Sequence, residues 1–475
     1  MWVFGLRGIN RVLGLIRTII LARLLVPSDF GLLGIAMLAI ATLETFSQTG
    51  FNAALIQKKD NAESYLDTAW TVSAVRGIIL FLILFFSAPL VASFFNTPQA
   101  ALVIRVIALS TLLSGLRNIG ILFFQKDLEF NKQFFYELSA TLVDLTVAVA
   151  LAFILRNVWA LVWGGLAANF VRLVMSYILH PYRSRIRFNK GEFKELFGFG
   201  KWVMASSILI FLITQGDDIF VGKMLGVTAL GLYQMAYLIS NLPATEITHV
   251  ISQVTFPAYS KMQGDLPRLR ETHLKVLQLT AFLSFPTAGL IFVLAPDFTK
   301  IFLGEKWMPM VPTLQVLCVF GITRSIGATM GPILYSAGRP KIQTKLSGIQ
   351  LIAVALIIYP LTIKWDILGT SLAVVIPNIL VLILITKETN NIINFKYKDF
   401  LMSLIAPIIA VSIVFLVIFL RHILLPSGNN ILNFFLLSII GSMVYLGIIY
   451  LWDRNTGYKM RSELIEILSN LGWTR

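Results

Sequence analysis

The chain has 475 residues, of which 57% are hydrophobic and only 13% are charged, with a mean hydropathy of +0.80 and a net charge of +15. Polar side chains could not cover the apolar surface of a soluble domain with this composition, so soluble enzymes are excluded and an all-α polytopic membrane protein is predicted. A single cysteine and four scattered histidines without HxxxH spacing exclude disulfides and argue against a metal site. We expect neither a metal nor a cofactor.

Apolar segments of about 20 residues, the length that crosses roughly 30 Å of hydrocarbon, recur along the whole chain. The first six lie at about 3–25, 30–49, 69–94, 101–124, 135–155 and 159–180. A second six lie at about 199–222, 227–258, 273–296, 309–336, 342–363 and 366–386, and two more at about 400–421 and 430–452. The sequence therefore predicts about 14 transmembrane helices. Kinks or breaks are expected at Pro243, Pro257 and Pro286.

These segments suggest a domain organisation. The predicted domains are an N-terminal six-helix lobe (1–180), a cytoplasmic interfacial linker (181–198), a C-terminal six-helix lobe (199–388), helices 13 and 14 (399–452) and a cytoplasmic amphipathic tail (453–475). Phe193, Leu196 and Phe197 form one apolar face near the linker, which suits a helix lying on the membrane surface. The tail has a similar face and could instead fold back onto other loops.

A repeat relates the two predicted lobes. Residues 22–36, ARLLVPSDFGLLGIA, return as residues 222–236, GKMLGVTALGLYQMA, with Gly31 aligned to Gly231. Arg117-Asn118-Ile119-Gly120 likewise returns as Arg324-Ser325-Ile326-Gly327. Two matches in the same order and at similar offsets indicate one architectural unit used twice.

Lys and Arg are distributed unevenly between the connecting loops. The even-numbered loops and the C-terminal tail hold 24 of the 39, the odd-numbered loops hold seven, and eight lie inside predicted helices. Because cytoplasmic loops of membrane proteins carry the excess of positive charge, both termini are expected in the cytoplasm. This bias explains much of the net charge, so nucleic acid is not an expected partner.

The first predicted helix has a polar stripe. At about 100° per residue, one arc of about 120° contains Arg7, Asn10, Arg11, Gly14, Arg17 and Thr18. The opposite side is aliphatic. An arginine that faces acyl chains at the bilayer centre would cost roughly 2.5–3.5 kcal/mol. The stripe is therefore expected to face protein or water.

Further arginines lie in other helices of the first half. Together with the stripe, the candidate substrate-binding residues of a cationic cavity are Arg7, Arg11, Arg17, Arg76, Arg117 and Arg172. Their potential partners in the same half are Glu44, Glu137 and Asp144. Arginine forks match phosphate oxygens, so an anionic headgroup would suit such a cavity. The alternative is that the arginines pair with carboxylates or carbonyls between helices, while Arg105 snorkels at a helix end.

The second half contains acidic residues instead. Asp217 and Asp218 lie in the seventh predicted helix, Glu246 and His249 in the eighth, and Arg324 in the tenth. Intramembrane carboxylates commonly bind or relay cations, which makes Asp217 and Glu246 candidate coupling-ion ligands. An Asp217–Arg324 pair or a helix–helix hydrogen bond is the alternative for Asp217, and a packed side chain is the simpler interpretation of His249.

Several motifs together resemble a known family. They are LARLLVPSDFGLL (21–33), GFNAALIQKKD (50–60), DDIFVGKMLGVTALGLYQMAY (217–237), FPAYSKMQGD (256–265), GEKWMPMVPTLQVL (304–317) and SAGRPK (336–341). The combination resembles the polysaccharide transporter family, the Wzx-like oligosaccharide and lipopolysaccharide flippases of the multidrug/oligosaccharidyl-lipid/polysaccharide exporter superfamily. Within it, the match resembles the colanic-acid and teichuronic-acid exporter branch. Trp2 matches a position that the family usually precedes with a short basic segment, which suggests a truncated or late-assigned start.

The resemblance implies two six-helix lobes around a central cavity and transport by alternating access. The implied substrate is an undecaprenyl-diphosphate-linked oligosaccharide, moved across the bacterial cytoplasmic membrane. The intramembrane carboxylates add H+ or Na+ as the expected coupling ion. Membrane lipid and polysaccharide-assembly proteins are the other implied partners. Asp217 matches the family's usual Asp, whereas Asp218 stands where Asn is common.

Two alternative functions are less compatible with these residues. A multidrug antiporter of the same superfamily would place organic cations beside arginines. A membrane polysaccharide polymerase or ligase would need a large outer loop with catalytic residues, and the outer loops are short. We therefore expect a transporter and not an enzyme.

Overall fold

The structure is a computed structural model that describes residues 2–57, 62–127, 129–242, 255–256, 258–424, 430–456 and 460. All regular elements in these ranges are helices, which confirms the predicted all-α class. Pro243, Glu246, His249 and Pro257 lie outside the described residues, as does the predicted tail apart from its first residues and Met460.

The chain divides into two compact units, Met1–Gln234 and Met235–Arg475. The helices that begin in the first unit are α1 (Trp2–Leu24), α2 (Pro27–Phe46), α3 (Phe51–Gln57), α4 (Leu66–Phe94), α5 (Ala100–Ile107), α6 (Leu109–Gly115), α7 (Leu122–Lys126), α8 (Phe130–Leu155), α9 (Val158–Leu179), α10 (Lys190–Met224) and α11 (Val227–Ser240). Short 3₁₀ turns occupy Ala62–Tyr65 and Ile119–Ile121. The unit boundary falls inside α11, and the lobe boundaries expected from the sequence stay a prediction.

The second unit contains longer helices. They are α12 (Leu266–Phe298), α13 (Val311–Ala328), α14 (Gly331–Ser336), α15 (Pro340–Ile393), α16 (Tyr397–Leu424) and α17 (Ile431–Thr456), with a π turn at Thr299–Leu303 and a 3₁₀ turn at Glu305–Met310. Helix α12 continues through Pro286 without a break, and the alternative of a kink at this proline stays a prediction.

Among the described residues, nine helices are long and apolar enough to cross a membrane. A tenth crossing results if the bent pair Ala100–Gly115 and Ile119–Lys126 forms one span. Helix α15 is 54 residues long and changes direction at Trp365 and Asp366, where the backbone leaves helical geometry. This kink lies at the junction of the two predicted segments at 342–363 and 366–386. The chain is thus a multi-pass membrane protein, while the total of fourteen helices stays a prediction.

The two copies of the first repeat cross each other inside the first unit. A Cβ on Gly31 would lie 1.8 Å from the carbonyl oxygen of Val227, and a Cβ on Gly231 would lie 2.0 Å from the carbonyl oxygen of Pro27. Gly31 corresponds to Gly231 in the repeat, and Pro27 corresponds to Val227. The contact is therefore reciprocal, as across a local two-fold axis. Only glycine permits the backbones to approach this closely.

The linker and the seventh predicted helix form one continuous element, α10. Leu196 is 2% exposed and packs with Phe51, Leu66 and Ile119, while Phe193 lies against the same cluster. The apolar face expected to lie on the membrane surface thus packs in part on the protein itself. Asn189 caps the helix, because its side chain accepts hydrogen bonds from the first backbone N–H groups.

Candidate functional site

The polar stripe of α1 has the orientation that its helical wheel predicts. Val12 and Ile16 are 56% and 42% exposed on the aliphatic side, whereas Arg11 and Arg17 are half-buried. Helix α1 packs against α8. The arginines therefore point toward protein, which avoids the cost of placing a guanidinium among acyl chains. The side chain of Arg7 lies outside the described residues.

Two of the candidate arginines form ion pairs with carboxylates of α8. The Nε of Arg17 lies 3.0 Å from Oδ2 of Asp144, and their side chains are 21% and 24% exposed. The Nη2 of Arg172, from α9, lies 3.4 Å from Oε2 of Glu137. The alternative of pairing between helices thus holds for these two. Their charge is partly balanced before any ligand arrives.

Arg76 of α4 forms hydrogen bonds with the C-terminal end of α2. Its Nη2 donates to the carbonyl oxygen of Glu44 at 2.7 Å, and its Nε donates to the carbonyl oxygen and the hydroxyl of Ser47 at 2.9 and 3.0 Å. The last carbonyls of a helix lack intrahelical partners, and the negative end of the helix dipole favours a cation there. Arg76 therefore has a structural role, with its guanidinium beside the polar pocket described below.

The fourth predicted helix is broken immediately before Arg117 and Asn118. Three side chains take up the backbone groups that the break releases. Asn118 accepts from the N–H of Gly120 at 2.9 Å, while Ser176 accepts from the N–H of Asn118 at 3.0 Å. Tyr177 donates to the carbonyl oxygen of Leu116 at 2.9 Å. These bonds satisfy three of the backbone groups at the 72° bend, where helical hydrogen bonds are interrupted. The segment predicted as one helix at about 101–124 is therefore interrupted by a bend.

The break places Arg117 in a polar pocket of about 180 Å³. Arg76, Arg117 and Glu44 supply its charged groups, and Ser73, Ser114 and Asn118 add polar ones. The Nη2 of Arg117 donates to Oδ1 of Asn169, whereas its buried Nε has no hydrogen-bond partner among the described residues. The volume corresponds to roughly six water molecules at 30 Å³ each. Two guanidinium groups and one carboxylate therefore line a space of this size.

The pair of aspartates in α10 points to α11 of the same unit. Tyr233 donates to Oδ2 of Asp217 at 2.7 Å, and Gln234 makes a hydrogen bond with Asp218. Asp217 is 5% exposed, and its Oδ1 has no partner within the described ranges. The helix–helix hydrogen bond considered from the sequence is thus present. Nothing is described for Glu246.

Arg324 lies in the second unit and has different surroundings. Its Nη1 lies 3.4 Å from the hydroxyl of Tyr237, and its guanidinium carbon lies 6.0 Å from the ring centre of Phe320. It lines a pocket of about 420 Å³ together with Asn378 and Gln343. These two amides and Asn169 were not among the site residues predicted from the sequence. The signal that could have identified them is their position as uncharged polar residues within apolar segments.

Comparison with known proteins agrees with the motifs. A family model described as polysaccharide biosynthesis protein matches residues 20–312. The lipopolysaccharide biosynthesis protein WzxC of Escherichia coli K12 is 30% identical over 337 residues, covering 70% of this chain and 68% of that protein. The succinoglycan biosynthesis transport protein ExoT of Rhizobium meliloti 1021 is 23% identical over 92% of this chain and 89% of that protein.

A solved structure shares the fold. The lipid II flippase MurJ in an inward closed conformation aligns over 95% of this chain and 98% of its own, with a TM-score of 0.74 and 16% identity. At this identity the likeness establishes the fold of a polytopic transporter and no more. The family match covers more than half of the chain. The protein therefore belongs to the polysaccharide biosynthesis protein family and is a polysaccharide transporter, not an enzyme.

Proposed function

We propose that the protein moves an undecaprenyl-diphosphate-linked oligosaccharide across the bacterial cytoplasmic membrane, and that Arg117 binds the diphosphate. The observation that carries the proposal is the Arg117 pocket, where a guanidinium with an unpartnered, buried Nε lies beside Arg76 inside a membrane-spanning unit. A guanidinium inside a membrane protein is costly to bury unless protein groups or a ligand pair with it, and the Nε of Arg117 has no partner among the described residues. The family and the names of its relatives support a polysaccharide precursor as the cargo.

Within this proposal the other arginines have graded roles. Arg117 is the principal ligand of the diphosphate. Arg76 contributes charge from a position fixed by α2. Arg11, Arg17 and Arg172 form a weaker approach path, because Arg17 and Arg172 already face carboxylates. Arg7 stays a candidate because the sequence predicts it on the same stripe of α1.

Flipping of lipid-linked oligosaccharide in proteoliposomes tests the role of Arg117. Arg117→Lys keeps the charge but loses the fork, and Arg117→Leu loses both, so we expect transport to fall at least tenfold in the first and further in the second. Arg105→Leu is the matched control, since Arg105 is an arginine of the neighbouring α5 that lies over the ring of Phe85 outside the pocket. Equal losses in Arg117→Leu and Arg105→Leu would refute the assignment.

We further propose that Asp217 binds the coupling ion, H+ or Na+, with Glu246 as a second ligand. Support comes from the burial of Asp217 and from its Oδ1, which has no partner within the described ranges. Asp217→Asn keeps the shape and the bond to Tyr233 but removes the charge. We expect this variant to bind substrate normally and to lose its response to an imposed gradient. A gradient response equal to wild type would remove Asp217 from the mechanism.

The proposed orientation places both termini in the cytoplasm, as the Lys and Arg distribution suggests. The region 183–194 would then be cytoplasmic and the region 300–306 periplasmic. Reporter fusions after each region test this arrangement. Alkaline phosphatase activity after region 183–194 and none after region 300–306 would show the opposite orientation in the membrane.

A further inference from the structure

The 420 Å³ pocket of the second unit is lined by α13, α14 and both halves of α15. Its volume lies in the range of about 300–1,000 Å³ that small-molecule sites occupy. Roughly fourteen water volumes of 30 Å³ would fill it, which is sufficient for a sugar ring. All of its described lining residues belong to the second unit, so this site is distinct from the Arg117 pocket.

Three side-chain amides face this pocket. Gln343 and Gln350 are seven residues apart and therefore share one face of α15. The buried Oε1 of Gln343 has no hydrogen-bond partner within the described ranges. Thr323 donates to Oδ1 of Asn378 at 2.6 Å, which fixes that amide and leaves its NH₂ group as a donor. Amides donate and accept at once, as the hydroxyls of a sugar require.

Two aromatic rings form one border of the pocket. Phe256 and Tyr335 meet edge to face with ring centres 6.5 Å apart, and they are 46% and 50% exposed. Exposed aromatic faces combined with hydrogen-bonding tips favour ligands that have both an apolar side and polar edges. A pyranose ring has C–H groups on its faces and hydroxyls around its rim.

The charge of the pocket disfavours the other parts of a lipid-linked substrate. Arg324 is the only cationic residue among the described lining residues, and no carboxylate is among them. Its guanidinium already contacts Tyr237 and the ring of Phe320. A diphosphate would therefore find less compensating charge here than beside Arg76 and Arg117. A polyprenyl chain would leave three amides desolvated without partners.

We infer that this pocket binds a sugar ring of the transported oligosaccharide. The side-chain amides of Gln343, Gln350 and Asn378 form hydrogen bonds with its hydroxyls. That the sugar belongs to the transported oligosaccharide rests on the proposed function. The assignment of these three amides to a sugar-binding pocket does not. The glycan would thus be recognised by the second unit through neutral hydrogen bonds and ring stacking. Sugar specificity would depend on these amides.

Binding to the full-length protein in lipid nanodiscs tests the inference. The probes are undecaprenyl diphosphate without sugar and the lipid-linked oligosaccharide extracted from the cells that make the protein. Gln343→Leu removes an amide whose oxygen is unpartnered, so folding should tolerate it. Asn390→Leu is the matched control, because Asn390 also has an unpartnered buried oxygen on α15 but lies outside the pocket.

We expect Gln343→Leu to weaken binding of the oligosaccharide-bearing lipid by about three- to tenfold, the effect of one neutral hydrogen bond, and to leave undecaprenyl diphosphate unaffected. Asn390→Leu should match wild type for both probes. The sugar assignment would be overturned, while the diphosphate site stands, by either of two results. Gln343→Leu could weaken the binding of both probes equally, or the wild-type protein could bind both probes with the same affinity. Wild-type protein that binds neither probe would overturn the proposed function as well.

Discussion

The motif at 117–120 and its repeat at 324–327 differ by one residue, Asn118 against Ser325, and they form different backbones. Asn118 caps a break between two helices, whereas Ser325 donates to the carbonyl oxygen of Gly321 inside the continuous α13. Both arginines line a pocket. One pocket is charged and the other is rich in amides, so the repeat preserves the position of an arginine but not its chemical surroundings.

The strongest test concerns the reciprocal crossing of the repeats. Gly31→Ala and Gly231→Ala should each destabilise the protein by about 3 kcal/mol, because the new methyl group meets a backbone carbonyl that cannot move aside. SDS titration of the purified protein measures this loss. Gly14→Ala is the control, since a Cβ there has no neighbour within 4 Å. A large loss in only one of the two crossing variants would contradict the local two-fold relation.

Arg117 and Arg324 should differ in how much each contributes to the binding of an anionic lipid. Arg117→Gln should weaken binding of undecaprenyl diphosphate by about 1.5–3 kcal/mol, the range of charge-assisted hydrogen bonds. Arg324→Gln should change the same affinity by less than about 0.5 kcal/mol. Titration of each purified variant with this lipid provides the measurement. Similar losses in the two variants would mean that the pockets are not chemically distinct.

Asn118 and Ser325 should differ in their contribution to stability. Asn118→Ala removes a buried cap and a donor to the carbonyl oxygen of Tyr182 at 2.7 Å, so a loss of about 2 kcal/mol is expected. Ser325→Ala removes only a bond within one helical turn and should cost less than about 0.5 kcal/mol. SDS titration compares the two. If Ser325→Ala destabilised the protein as much as Asn118→Ala, the break between helices would not be the reason for the importance of Asn118.

A smaller effect should appear with pH at the broken motif, because His180 stacks on Phe123 and its Nδ1 accepts from the N–H of Tyr182 at 3.2 Å. Burial, assisted by Lys132, lowers the pKa of His180 below its usual value of about 6.5. The unfolded chain then binds a proton more readily, so stability should be complete above about pH 6.5 and should decline as pH falls below it. Thermal unfolding between pH 5 and 8 measures this slope. His180→Asn keeps an acceptor and should flatten it; an unchanged slope would exclude His180.

Much of the membrane architecture could be predicted from local pattern. Segment length and hydropathy indicated an all-α membrane protein, and the repeat at 22–36 and 222–236 marked the two stretches that later proved to touch. The wheel of α1 correctly separated Arg11 and Arg17 from Val12 and Ile16. These features depend on periodicity and on the cost of charge in lipid, both of which are properties of a short stretch of chain.

Tertiary structure alone decided which charges are balanced and where helices break. Arg17 meets Asp144 from 127 positions away, and Ser176 and Tyr177 supply the bonds that allow the chain to bend beside Arg117. The amides Gln343 and Asn378 share a pocket because α15 reverses at Trp365 and Asp366. Such contacts join residues that are distant in sequence. Hydropathy and spacing therefore determined the class of protein and its membrane segments, whereas packing determined which polar groups meet and which remain available to a ligand.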